Sequence, residues 1–446
     1  MNADRKVCPQ RKEAEAQPEA SSSSPTFWGT RFRFSICVHT LLWVTTGLQL
    51  TRAAEDKPVV SFELAGGANK AEAVVFSRDL KWLATRWPSG KVQVWDVGKG
   101  ESVAEWPTEG KEEDDPLLLL NRQAQIAFIP NSPQLLVAAA TNLAIHEILT
   151  GKVVRIFEPS PRPITGIALS PSGDRVVGFL ADPLPAQLLF WSLADAKQLS
   201  ALPTKRAAWE SPYAGRRRQP GGNIRPPASI VAGITRAFSQ DGRLFAVGLE
   251  YAQIDLWNLE TVKWLDTLQD SGRYGLSSSG RVTSLGFLAG QRLAVVFNSL
   301  ELSVLERNTN ASATLLRYPQ MSDSDSLEIR SLVVSGDGNR LAVAGMRMGR
   351  RQGFAQPAGT FVFDVPMHGE VQVWDAVGME LVATLKGRPD EKFSRVALDD
   401  TGQRVATVTT GVEYHSSMTG AMQQSEELTV KRSLRVCVWD APASAH

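Results

Sequence analysis

Seven times between residues 74 and 408 the chain writes an apolar stretch, a short polar turn and a second apolar stretch. The first copy covers residues 74–85 around Ser77-Arg78-Asp79-Leu80-Lys81, and the second covers 126–140 around Pro130-Asn131-Ser132-Pro133. Residues 167–177 turn at Ser170-Pro171-Ser172-Gly173-Asp174, and residues 235–247 at Ser239-Gln240-Asp241-Gly242-Arg243. The last three copies cover 285–296 around Ala289-Gly290-Gln291, 332–344 around Ser335-Gly336-Asp337-Gly338-Asn339, and 396–408 around Asp399-Asp400-Thr401-Gly402-Gln403. Asp, Asn, Ser and Gly supply the local hydrogen bonds and positive φ of tight strand connections, so each copy reads as a β-hairpin. One such unit cannot bury both of its apolar faces alone and must stack on its neighbours.

A third alternating strand follows each hairpin and tends to end in Trp-Asp, most fully in Val92-Gln93-Val94-Trp95-Asp96 and Val371-Gln372-Val373-Trp374-Asp375. Ile145-His146-Glu147, Phe190-Trp191-Ser192, Leu256-Trp257-Asn258, Val304-Leu305-Glu306 and Val438-Trp439-Asp440 hold the same place in the other copies. A turn such as Gly98-Lys99-Gly100-Glu101 or Thr150-Gly151-Lys152 then leads into a fourth strand. These residues resemble the WD40 repeat family, whose repeats carry V-x-V-W-D with a Gly-Lys-type turn and an F-S-P-D-G hairpin. The resemblance covers residues 59–440. It implies an all-β fold over residues 57–441, a seven-bladed β-propeller of four-stranded antiparallel blades. One feature departs from the family: the Gly-His pair that opens a typical repeat is missing, and His146, His368, His415 and His446 do not fall there. The buried Asp-His-Ser-Trp network of the family is therefore not expected, and apolar packing must hold the blades together. Trp95, Trp191, Trp257, Trp374 and Trp439 read as part of that packing.

The seventh repeat ends at Asp440 without a fourth strand, whereas Val59-Val60-Ser61-Phe62-Glu63-Leu64 is a strand standing before the first hairpin. The two fragments complete one blade, and an N-terminal strand pairing into the last blade would close the ring. In a four-strand meander the first and third turns lie at one end of the ring, the second turns and the links between blades at the other. The first group is short, while the second receives long insertions at residues 107–122, 203–230, 345–369 and 409–433. Long loops gathered on one face point to binding there. Two of them carry Arg with aromatic or Met neighbours, a hot-spot composition: Trp209, Tyr213, Arg216, Arg217 and Arg218 in one, Arg347, Arg350, Arg351 and Phe354 in the other. These nine residues are the candidate partner-binding set, and solvated basic loops are the alternative.

Residues 109–115 and 323–328 add acidic surface to the same face, and the formal net charge of the chain is only +1, so a nucleic-acid track is not expected. The acidic spacing does not match an EF-hand loop, and Cys8, Cys37 and Cys437 are too few and too scattered for a disulfide framework or a cysteine zinc site. H-E-x-x-H, G-x-S-x-G and the phosphate-loop pattern are all missing. No cofactor, metal or catalytic residue is therefore expected. Residues 1–30 have the composition of a disordered tail. Within residues 31–54, Arg31 and Arg33 precede the apolar run 34–50, which ends near Ala53 and Ala54 as in a signal peptide or signal anchor. The expected protein is thus a non-catalytic interaction scaffold for protein partners. It is exported to the periplasm or envelope, extracellular or membrane-tethered, and binds through the long-loop face. The alternative is a propeller enzyme, or a small-molecule or metal binder, with its site at the central channel. Converging His, Asp or Glu at the channel mouth would favour the alternative, an apolar channel the scaffold.

Overall fold

The computed structural model describes residues 57–64, 71, 73–87, 89–108, 125–180, 187–203, 235–248, 252–269, 282–306, 312–317, 326–356, 359–389, 391–411 and 434–441. The tail and the apolar run of residues 1–54 lie outside the described residues, as do most of the insertions at 107–122, 203–230 and 409–433. Twenty-eight strands form seven antiparallel four-stranded sheets. After β1 (Val60–Glu63), blade 1 is β2 (Ala73–Phe76), β3 (Trp82–Arg86), β4 (Lys91–Asp96) and β5 (Glu101–Pro107). Blade 2 is β6 (Ile126–Phe128), β7 (Gln134–Ala139), β8 (Asn142–Glu147) and β9 (Val153–Ile156). Blade 3 is β10 (Ile164–Leu169), β11 (Arg175–Leu180), β12 (Gln187–Ser192) and β13 (Gln198–Pro203). Blade 4 is β14 (Arg236–Phe238), β15 (Leu244–Gly248), β16 (Gln253–Asn258) and β17 (Lys263–Gln269). Blade 5 is β18 (Val282–Phe287), β19 (Leu293–Phe297), β20 (Glu301–Leu305) and β21 (Ser312–Arg317). Blade 6 is β22 (Ser326–Val334), β23 (Arg340–Gln356), β24 (Gly359–Asp375) and β25 (Glu380–Pro389). Blade 7 takes β26 (Glu391–Leu398), β27 (Arg404–Gly411) and β28 (Leu434–Asp440), and β1 pairs with β28 as its outer strand.

The ring therefore closes as the sequence predicts, with Val60 opposite Val438 and Glu63 opposite Arg435. Packing proves the closure independently. The buried apolar residues fall into seven clusters, each shared by two consecutive blades. One joins Val436 and Val438 of blade 7 to Leu83 and Trp95 of blade 1. Strands buried on both faces read as unbroken apolar runs, such as Leu293–Phe297 (LAVVF), every residue of which is buried.

The first turns of blades 1, 3, 4 and 6 are built by a short side-chain circuit. Ser77 Oγ donates to Asp79 at 2.6 Å and accepts the Trp82 N–H at 2.9 Å. Ser239 with Asp241 and Ser335 with Asp337 repeat the arrangement, and Ser170 reaches Asp174 in blade 3. Burial raises the pKa of these carboxyls, but the serine and backbone hydrogen bonds outweigh it and hold Asp79, Asp174, Asp241 and Asp337 below the ordinary value. A second recurrence has no sequence signature. The innermost strands of blades 3, 5 and 7 bulge at Thr165, Thr283 and Ser394, and each hydroxyl donates to a carbonyl of the next strand, Phe179, Val296 and Val408, at 3.0–3.2 Å. Blade 6 bulges at the same place, and there Arg330 pairs with Glu328 at 2.8 Å.

Candidate functional site

The channel wall is made by the innermost strands β2, β6, β10, β14, β18, β22 and β26. Its mouth at the short-turn end holds a cavity of 340 Å³ walled by Phe76, Phe238, Phe287, Val334 and Leu398. Arg78 and Asp400 form an ion pair there, 3.8 Å apart and both substantially exposed, which makes it a weak surface contact. Deeper in the wall, Arg236 is half-buried, with its guanidinium 4.3 Å above the Phe179 ring, and donates to the Ile167 carbonyl at 2.7 Å. Burial pushes its pKa down to about 10, which leaves it charged at neutral pH. Among the described residues no three His, Cys, Asp or Glu side chains converge.

At the opposite end of the ring, blade 6 departs from the repeat. The insertion at 345–369, expected as a loop, is instead the continuation of β23 and β24, each 17 residues long. Glycine and proline at 345, 349, 353, 357, 359, 366 and 369 gave the segment the composition of a loop. Backbone pairing overrides that composition, because glycine lets the strands approach. A Cβ on Gly345 would stand 1.9 Å from the Glu328 carbonyl oxygen. β22 accompanies β23 only as far as Met348, and β25 accompanies β24 only as far as His368. Beyond those points, among the described residues, the two long strands pair only with each other, from Gly349 opposite Val365 to Gln356 opposite Gly359. Eight residues at about 3.3 Å each make a two-stranded ribbon roughly 26 Å long that leaves the ring on the insertion side.

A buried ionic lock fixes the base of the ribbon. Arg347 Nε donates to Glu370 Oε2 at 2.8 Å, and its NH2 group donates to Oε1. Gln372 Nε2 adds a donor to Oε1 at 2.9 Å, and His368 Nε2 stands 3.6 Å from Oε2. The Glu370 side chain is 3% exposed and that of Arg347 19%. Of the nine candidate residues, Arg347 is thus the one whose guanidinium pairs with Glu370. Arg350 and Arg351 occupy a bulge in β23, where the register steps from Gly349 to Gln352, and Phe354 pairs with Phe361. Trp209, Tyr213, Arg216, Arg217 and Arg218 lie outside the described residues. The sequence reading missed Glu370, His368 and Gln372. Their signal was an alternating H-x-E-x-Q in a strand whose neighbours are apolar.

The tryptophans of the third strands do pack between blades. The indole N–H groups of Trp257, Trp374 and Trp439 find no acceptor among the described residues, while Trp95 reaches Thr85 Oγ1 at 3.4 Å. His146, in the tryptophan position of blade 2, donates from Nδ1 to the Gly151 carbonyl at 3.0 Å and stacks on Trp106. No family model matches the chain, and no curated protein matches it in sequence.

Proposed function

We propose that the protein is a WD40-like, non-catalytic interaction scaffold whose main contact element is the ribbon of blade 6. The observation that carries this reading is the pairing pattern of β23 and β24. A two-stranded hairpin alone is marginal in water, and this one extends past both of its flanking strands with two rows of backbone groups that have no strand partner among the described residues. An extended partner segment adding to either edge would satisfy those groups and hold the ribbon in one conformation. Arg350, Arg351 and Phe354 lie in this ribbon, so it carries the hot-spot residue types. The channel mouth mixes apolar walls with Ser77, Gln240, Ser335 and the exposed Arg78–Asp400 pair, so the scaffold reading rests on the ribbon and not on the channel. Export through the N-terminal apolar segment, as a cleaved signal or as an anchor, is part of the same reading.

The test replaces residues 350–365 by Asn-Gly, a two-residue turn that preserves the pairing of β22 through β25. Native and shortened proteins are used as bait against the envelope fraction of their own cells. The expected result is a protein partner retained by the native form and lost from the shortened one, with unchanged thermal unfolding. Equal capture by both forms would overturn the assignment.

A further inference from the structure

Between the end of β25 in blade 6 and the ring-closing strands of blade 7 lies a cleft of 360 Å³, lined by Lys57, Ser61, Lys386, Arg388, Arg435 and Trp439. Four of these side chains are cations, and among the described residues no carboxylate lines the cleft. Lys57, Lys386 and Arg388 are exposed and have no ion-pair partner among the described residues. Arg435 is different: it is 8% exposed, held by Glu391 through one terminal nitrogen and by Ser61 Oγ at 3.3 Å through the other. Its Nε donor is buried without an acceptor, and so is the Nε1 donor of Trp439, a residue 2% exposed. Glu391 also accepts the Arg388 backbone N–H at 3.0 Å. It offsets one of the four positive charges, so three remain without a counter-charge among the described residues. Buried donors without acceptors are costly and ask for an explanation. Here both stand in a cationic cleft whose size suits a small ligand.

We propose that this cleft binds a phosphate group, either free or borne by a small phosphate monoester. A doubly charged tetrahedral oxyanion supplies several acceptor oxygens, matching the excess charge and the arginine donors better than a single carboxylate does. Lys57 precedes β1, Arg435 belongs to β28, and Lys386 and Arg388 end β25. One bound phosphate therefore ties the N-terminal strand to blades 6 and 7 and stabilises ring closure by mass action. The inference does not rest on the ribbon, since none of the six residues belongs to it.

The experiment is calorimetric titration of the full chain with inorganic phosphate and with phosphoserine, beside thermal unfolding in each and in chloride of equal ionic strength. The variants are Lys386→Gln with Arg388→Gln, both at exposed positions, and Lys152→Gln in blade 2 as the control. Binding to the native chain and the control, weakened about tenfold or more in the double variant, is expected, since each charge-assisted hydrogen bond is worth that much. A response to phosphoserine alone assigns the site to a monoester, and a response to inorganic phosphate to the free anion. No heat from either probe, equal binding by the double variant, or a thermal shift that chloride reproduces would each overturn the proposal.

Discussion

Replacing Arg347 by methionine tests whether the lock at the base of the ribbon is as buried as its geometry indicates. Glu370 would keep only the Gln372 bond at 2.9 Å, with His368 3.6 Å away, on a side chain 3% exposed. Removing one partner of a buried ion pair costs about 3–5 kcal/mol, and the surviving hydrogen bond places Arg347→Met at the lower end, about 3 kcal/mol. Glu370→Leu should cost less, about 1–2 kcal/mol, because Arg347 is 19% exposed and its long stem can carry the charge to solvent. The double variant replaces the pair by apolar groups of similar volume and should return to within about 1 kcal/mol of the native protein. The coupling energy of the cycle is then about 3 kcal/mol, far above the few tenths expected of independent sites. Urea unfolding followed by tryptophan fluorescence measures all four corners. Hydrogen exchange at residues 345–348 shows whether the single variants loosen the ribbon base. Additive single effects, or a cost below about 1 kcal/mol for Arg347→Met, would refute the claim that the lock is desolvated and coupled.

Val262 sits in the third turn of blade 4 at φ 52°, where blades 1 and 2 place Gly100 and Gly151 at φ 71° and 67°. Its side chain is 38% exposed, so Val262→Gly should gain up to about 1 kcal/mol by relieving a left-handed β-branched residue, visible as a higher denaturation midpoint. Leu80 pays the same backbone cost at φ 55° but is 1% exposed, and Leu80→Gly should instead destabilise by about 2 kcal/mol or more in the same assay, through lost burial. The depressed pKa values of Asp79, Asp174, Asp241 and Asp337 contribute stability that is present above the ordinary carboxylate pKa and lost as pH falls through the folded values. Denaturation midpoints should therefore hold near neutral pH and fall below about pH 4, less steeply in Ser335→Ala. Deleting residues 57–64 strips β1 from β28 and leaves an apolar edge strand, so the shortened ring should self-associate in light scattering where the native chain does not.

The fold was legible in the sequence because its turns carry chemistry. Ser77 with Asp79, Ser239 with Asp241 and Ser335 with Asp337 mark one hairpin each, and the unpaired Val59-to-Leu64 strand pointed to the closure through β28. The bulges at Thr165, Thr283 and Ser394 were not legible, since a hydroxyl in an apolar strand looks the same whether or not the strand bulges. Blade 6 was misread where glycine serves close strand approach rather than a turn, as at Gly345. The lock left only the alternating His368, Glu370 and Gln372 along the chain, and the basic cleft left nothing. Lys57, Lys386, Arg388 and Arg435 become neighbours only because a strand from the N-terminal side fills the last blade.

That same strand gives the buried ion pair of blade 7 its role. Five of the seven blade interfaces involve neither blade 6 with blade 7 nor blade 7 with blade 1, and in them both partner blades are continuous segments of chain. Blade 7 alone is assembled from the two ends of the domain, held by a four-residue strand with no covalent link to β28. Its closure must be specified as well as stabilised, because apolar packing accepts many registers and a slip of one residue would turn Phe62 and Val60 out of the core. Arg435 supplies that specification, binding Ser61 of β1 with one nitrogen and Glu391 of β26 with another, so the outer and inner strands of the blade are tied in a single register. Arg347 and Glu370 do the same for the adjoining blade, where the longest strands of the ring must stay aligned over 17 residues. A tryptophan-centred network repeated in every blade would spread this task evenly around the ring. The indole donors of Trp257, Trp374 and Trp439 find no acceptors among the described residues, and the pairs Arg347 with Glu370 and Arg435 with Glu391 set strand alignment in blades 6 and 7 instead.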